Sequence, residues 1–200
     1  MTKFVKPAAQ GLYDPANEHD ACGVGFVAHI KGEKSHSIVQ QGLEVLDNLT
    51  HRGATGFDPM LGDGAGILLQ IPDDFFRIHA DLGFELPKLG SYGVGMVFLP
   101  QDQGRREKIE KILEELAVAE GQEVLGWRDV PVDTSNLGTI AAKTQPKTKQ
   151  IFVGKGNEEL SDLQFNAKLF AARKIAEHEI QRSKISESKY FYLPSFSTTT

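Results

Sequence analysis

Two long amphipathic patterns set among short apolar runs constrain this chain more than any other feature. From about Gly104 to Glu120, Ile109, Ile112, Leu113, Leu116 and Ala117 return at helical spacing, and Arg105, Arg106, Lys108, Glu110, Lys111, Glu114 and Glu115 fill the rest of each turn. A second helix is predicted over 161–182, where Leu163, Phe165, Leu169, Phe170, Ile175 and Ile180 are mixed with charges. Around them, the runs 92–99, 123–130, 150–153 and 190–193 have the length and apolar content of strands. A helix with one apolar stripe must bury it against another layer, so this grouping predicts a layered α+β architecture around one core. The alternation of Val24, Phe26, Ala28 and Ile30 predicts a further, half-buried strand over 22–31. A helix over 36–49 follows, with Ser35 as its N-cap and Ile38, Val39, Gly42, Leu43, Val45, Leu46 and Leu49 near one face. A buried strand over 67–71 ends at Pro72, a short helix covers 73–80, and a short turn or helix lies at 136–143. No internal repeat is visible, and no linker divides the chain into two domains.

Composition narrows the function classes. A formal charge of -5 with scattered Lys and Arg supplies no basic footprint for nucleic acid. No apolar run reaches membrane-spanning length, and residues 1–21 lack the apolar core of a secretory signal, so the chain reads as cytoplasmic and without a membrane partner. Residues 1–21 carry prolines and charges without a sustained apolar period and read as an exposed leader.

The single cysteine, Cys22, stands where that leader meets the first predicted strand. Were the chain cut between Ala21 and Cys22, the thiol would gain a free α-amine as its neighbour. A thiol with a pKa of about 8.5 is only slightly ionised at neutral pH, whereas an α-amine of pKa about 7.7–8.0 is a competent proton acceptor there. One residue would then supply both nucleophile and base, the arrangement of N-terminal nucleophiles. The plain alternative is a small buried hydrophobe, the commonest fate of a lone intracellular cysteine. Its position at the junction favours the nucleophile.

Other motifs divide between chemistry and structure. Gly62-Asp63-Gly64-Ala65-Gly66 lacks the Lys and Ser or Thr of a phosphate loop and precedes a strand rather than a helix, so it reads as a turn that packs near another backbone. His51 and Arg52 fall at a helix end, where they can complement the helix dipole or bring charge to a site. The six histidines show no metal-ligand spacing, and no metal site is assigned.

Taken together, Gly11-Leu12-Tyr13-Asp14-Pro15, Glu18-His19-Asp20-Ala21-Cys22-Gly23-Val24-Gly25-Phe26, His51-Arg52-Gly53, Gly62-Asp63-Gly64-Ala65-Gly66-Ile67 and Leu125-Gly126-Trp127-Arg128-Asp129-Val130-Pro131-Val132 resemble the class II glutamine amidotransferases. The likeness is greatest to those at the N-terminus of glutamate synthase large subunits, and it continues to Tyr192-Leu193-Pro194-Ser195. It implies a four-layered αββα sandwich of the N-terminal-nucleophile hydrolase type, with 1–21 as a propeptide and 22–200 as the N-terminal part of the amidotransferase domain. It also implies glutamine hydrolysis through a Cys22 thioester, with Arg52 in a supporting role and Asp63 organising the glycine-rich loop. The ammonia would aminate 2-oxoglutarate at a distant synthase site served by flavin mononucleotide (FMN) and an iron–sulfur cluster. No cofactor is expected in this chain, and the implied partners are the rest of the polypeptide and a small subunit. The family's Asn-Gly oxyanion pair is absent here, so the sandwich is expected to be incomplete at its C-terminus. Two rival classes stand beside this one: a non-catalytic scaffold that binds a partner chain, and a stand-alone cysteine hydrolase with a histidine base.

Overall fold

The computed structural model describes residues 8–11, 14, 23–53, 62, 64–157 and 159–200. In chain order its regular elements are α1 (His36–Asn48), a 3-10 turn at Thr50–Arg52, α2 (Asp73–Ile78), β1 (Tyr92–Leu99), α3 (Gln103–Ala119), β2 (Glu123–Asp129), α4 (Thr139–Thr144), β3 (Lys147–Gly154), α5 (Asp162–Arg182), a second 3-10 turn at Ser188–Tyr190, and β4 (Tyr192–Ser197). They fall into two compact units: Met1–Leu68 with Asn136–Lys143, and Leu69–Ser135 with Thr144–Thr200. The sequence carries no linker signal at these junctions.

The larger unit is built on one antiparallel sheet of order β2-β3-β1-β4. Strand side chains alternate between faces, and the sequence follows that period. On one face Val97, Leu99, Ile151, Val153, Leu193 and Phe196 meet Ile109 and Leu113 of α3 and Phe165, Leu169 and Ile180 of α5. On the other, Tyr92, Val94 and Phe152 meet Ile71 and Phe76, with Phe84 packed alongside. Two apolar clusters, one on each side of the sheet, thus replace the single core expected. Phe152 is the hub of the second cluster, edge-on to Phe76 at 5.0 Å and to Phe84 at 5.4 Å between ring centroids.

Local chemistry fixes the helix ends. Asp102 caps α3 by accepting from Arg105 N at 2.9 Å. Ser161 and Gln164 form a reciprocal capping box at the start of α5, satisfying two otherwise orphaned amides. On the second face α2 is tied down by its own charges: Asp73 accepts from Tyr92 Oη at 2.6 Å and from Arg77 Nε at 2.9 Å. The same guanidinium donates to the carbonyls of Leu86 and Pro87, drawing the 79–91 connection against the helix.

Glycines within β1 have a packing reason. A Cβ on Gly93 would run into Leu169 of α5, and one on Gly95 would lie 2.8 Å from Ile151 Cγ2. Gly93 therefore lets α5 approach the strand and Gly95 makes room for side chains of the neighbouring strands, which offsets their weak strand propensity.

Several expectations need correction. No ladder forms over 23–31 or over 67–71, although alternation and apolar content predict strands at both. Val24, Phe26 and Ile30 are 90%, 92% and 103% exposed. Alternation specifies which side chains share a face, but a strand also needs a hydrogen-bonding neighbour. β3 begins at Lys147 rather than at residue 150, because its first turns are lysines paired with Asp129 and Glu110, a strand start without apolar signal. β4 runs to Ser197 through Pro194, while 188–190 is a 3-10 turn. Its place at the sheet edge accommodates the missing N–H. Ser35 occupies the N-cap position of α1 without a side-chain cap bond, its Oγ lying 2.9 Å from Ser37 Oγ. Leu43, placed on the apolar face by spacing, is 48% exposed. No helix among the described residues is long and apolar enough to cross a membrane.

Candidate functional site

The residue that follows Cys22 is seated on α1 and the turn after it. A Cβ on Gly23 would lie 2.9 Å from Leu49 Cδ2 and 3.2 Å from Arg52 Cβ, so only a hydrogen fits at that face. Two residues on, a Cβ on Gly25 would fall inside the van der Waals envelope of Val45 Cγ1. Gly42 has the same relation to Ile67, whose Cδ1 would stand 2.9 Å from an added Cβ. Three glycines thereby bring the segment after Cys22 and the end of the glycine-rich loop against α1.

The turn that presents Arg52 is held by backbone. Leu49 N reaches the carbonyls of Val45 and Leu46 at 3.0 and 3.1 Å, and Arg52 N donates to Leu49 O at 2.8 Å. Thr50 Oγ1 donates to Asp47 O, and His51 Nδ1 lies 2.9 Å from Asn48 O. The imidazole is thus applied to the exposed end of α1, as expected of a residue at a helix C-terminus. Arg52 is half-buried in that turn. Gly64 adopts φ +88°, a left-handed conformation that a Cβ would strain, while a Cβ there or on Gly66 would meet nothing within 4 Å, so the close backbone approach expected of this loop is not seen at either glycine.

Of the sequence-derived site residues, Arg52 is described, and Cys22 and Asp63 lie outside the described residues, as does most of the leader. What the structure brings together is the residue next to Cys22 and Arg52, far apart in sequence. In the sequence, the glycines at 23 and 25 read only as positions of the predicted strand. A signal for them existed: two glycines one residue apart, and the branched pair Val45 and Leu49 one helical turn apart.

An iron–sulfur cluster does not fit the residues present. A cluster needs several thiolates, and the chain has one cysteine. Among the described residues no group of three or more His, Cys, Asp or Glu side chains could hold a metal ion.

A family profile described as class-II glutamine amidotransferases matches residues 22–200, so its first matched residue is Cys22. The chain is 48% identical over 200 residues to the NADPH glutamate synthase large chain of Bacillus subtilis, covering 100% of this chain and 13% of that one. It is 41% identical over 206 residues to the NADH glutamate synthase of Saccharomyces cerevisiae, with 98% and 9% covered. It is 37% identical over 188 residues to a ferredoxin-dependent chloroplastic glutamate synthase of Arabidopsis thaliana, with 94% and 12% covered. The chain therefore spans about a tenth of the length of these curated relatives. With a family match running from Cys22 to the last residue, the chain belongs to the class-II glutamine amidotransferases.

Proposed function

We propose that the chain is the glutamine-hydrolysing part of a glutamate synthase, with Cys22 as its nucleophile. The observation that carries this reading is the family match over residues 22–200, which begins at the chain's single cysteine. Removal of residues 1–21 as a propeptide leaves Cys22 with a free α-amine. That amine takes the thiol proton as sulfur adds to the glutamine side-chain carbonyl. The proton is passed to the leaving nitrogen, ammonia departs, and a thioester remains. Water adds to the thioester, the C–S bond breaks, and glutamate leaves with the thiol restored.

Arg52 has a supporting electrostatic role, for which its contact with Gly23 gives the spatial basis. Asp63 organises the glycine-rich loop. The ammonia serves reductive amination of 2-oxoglutarate elsewhere in the longer protein, where FMN and the iron–sulfur cluster belong; no step of glutamine hydrolysis is routed through either. The remaining polypeptide, and a small subunit, are the partners, in the cytoplasm.

The antiparallel sheet with α3 and α5 is read as one sheet and one helix layer of a four-layered αββα sandwich. The second sheet of that sandwich would draw on the segments 23–31 and 67–71, which form no ladder in this structure. The exposed row Val24, Phe26 and Ile30 supports that assignment.

The test is the intact mass and N-terminal sequence of a form extended by about one domain's length. Loss of residues 1–21, with Cys22 first and glutaminase activity that Cys22→Ala abolishes, is the expected result. A retained leader with a reactive thiol would turn the reading to a histidine-assisted hydrolase. A retained leader with an inert thiol would turn it to a scaffold.

A further inference from the structure

Resting on the reading of Cys22 as nucleophile, we propose that Gly25 and Val45 form a spacing device that sets the register on α1 of residues 23–25, which follow Cys22 in the chain, and this makes Val45 a positioning residue for glutamine hydrolysis. The basis is a match between two periods. Gly23 meets Leu49 and Gly25 meets Val45, so the segment runs antiparallel to the helix, two residues of one against four of the other. Val24 and Phe26 point away, 90% and 92% exposed, which is the two-residue alternation of extended chain. Two extended residues advance about 6.6 Å. Four helical residues advance about 6 Å. The glycine pair can therefore register on the Val45–Leu49 pair without slippage, in the residues that directly follow Cys22 in sequence.

Only a hydrogen fits between Gly25 and Val45 Cγ1. The backbone at Gly25 is not in the left-handed region, so alanine meets no conformational objection there. An added methyl acts through steric displacement alone, and a displacement of about 1 Å can cost on the order of a hundredfold in rate when it misplaces a reacting group. The contact is also reversible by design: truncating Val45 to alanine removes the Cγ atoms that the new methyl would strike.

The experiment is made in the full-length enzyme, reading kcat and KM for glutamine, and the rate of Cys22 alkylation by iodoacetamide from the mass of the N-terminal peptide. Gly25→Ala is expected to lower both kcat and alkylation by about tenfold or more, with KM within about twofold. The double variant Gly25→Ala/Val45→Ala is expected to recover most of both. Should Gly25→Ala fail to accumulate as soluble protein, Val45→Ile enlarges the same contact from the helix side and is expected to give the same split. Wild-type kcat in either enlarged variant, a loss that Val45→Ala does not restore, or insolubility of both enlarged variants would overturn the device. Cys22→Ala separates this from the reading beneath it. Persistent glutamine hydrolysis in Cys22→Ala removes the nucleophile assignment, whereas an inactive Cys22→Ala beside an unimpaired Gly25→Ala removes only the spacing role.

Discussion

At the scale of single residues, the clearest commitments are buried polar contacts rather than surface charges. Tyr92 is wholly buried, and burial together with its hydrogen bond to Asp73 holds the phenol protonated far above its ordinary pKa of 10.0. A folded-state pKa above the unfolded one means that the folded protein binds the proton more tightly. The stability this contributes is complete below about pH 10 and is lost as the pH rises further. Tyr92→Phe keeps the ring among Phe76 and Phe152 but removes the donor to Asp73. A loss of about 1–2 kcal/mol is expected, seen as a lower urea midpoint at unchanged slope, together with a flatter alkaline decline. Glu177 works on the acid side. Burial alone would push its carboxyl up, but hydrogen bonds from Lys174 at 2.6 Å and Arg173 at 2.9 Å outweigh it and hold the pKa below its ordinary 4.5. Its contribution is present above that value and disappears as the pH falls through the depressed one, so Glu177→Gln should blunt the fall in stability measured between neutral pH and about pH 3. The effect should be small, because the pair lies on the outer face of α5 and is partly screened.

At the scale of elements, α5 shows how local chemistry and packing agree. Ser161 and Gln164 close both ends of the capping box, and the helix then buries Phe165, Leu169, Ala172, Ala176 and Ile180 at helical spacing. Ser161→Ala should cost about 1 kcal/mol, read as a shift in the denaturation midpoint, with amide exchange quickened first in residues 162–165. Elements of this kind were legible in the sequence: α3, α5, β1 and β2 lie within a residue or two of their predicted limits. The failures have separate physical causes. At β3 the opening lysines, Lys147 and Lys149, pair their ammonium groups with Asp129 and Glu110, so a hydropathy pattern does not register them as strand. At β4 Pro194 argues against a strand until the strand is known to be an edge. Over 23–31 the alternation predicts a half-buried strand with its apolar row inward, yet Val24, Phe26 and Ile30 are exposed and the glycines at 23 and 25 meet α1, because pairing and burial depend on a neighbour that the segment's own residues do not name. The candidate site divides in the same way. Its residue types could be picked from motif order, whereas the seat of Gly23 and Gly25 on Leu49 and Val45 depends on packing across two elements.

At the scale of the whole molecule, burial is distributed very unevenly. Every buried apolar side chain among the described residues lies between Ile71 and Phe196, within the larger unit, and α1 has none. The smaller unit instead exposes Val24, Phe26, Ile30 and, at 74%, Leu68. Burying an apolar side chain of this size is worth about 1.5–3 kcal/mol, so the smaller unit forgoes much of the stabilisation that holds the larger one together. The 200-residue chain should therefore unfold in two stages. The sheet with α3 and α5 supplies the cooperative transition, and the smaller unit opens at lower denaturant or temperature. Hydrogen exchange should show amides of 23–31 near the rate of exposed backbone and those at the centres of β1 and β3 protected until the main transition. Exposed apolar rows of this kind also bind hydrophobic dyes and promote association. Extending the chain by about one domain's length should diminish dye binding, slow exchange over 23–31 and merge the two stages. A monomeric 200-residue chain that unfolds in a single transition, with no dye binding and uniform protection, would mean that the smaller unit is stable by itself and that its exposed row awaits no further strand.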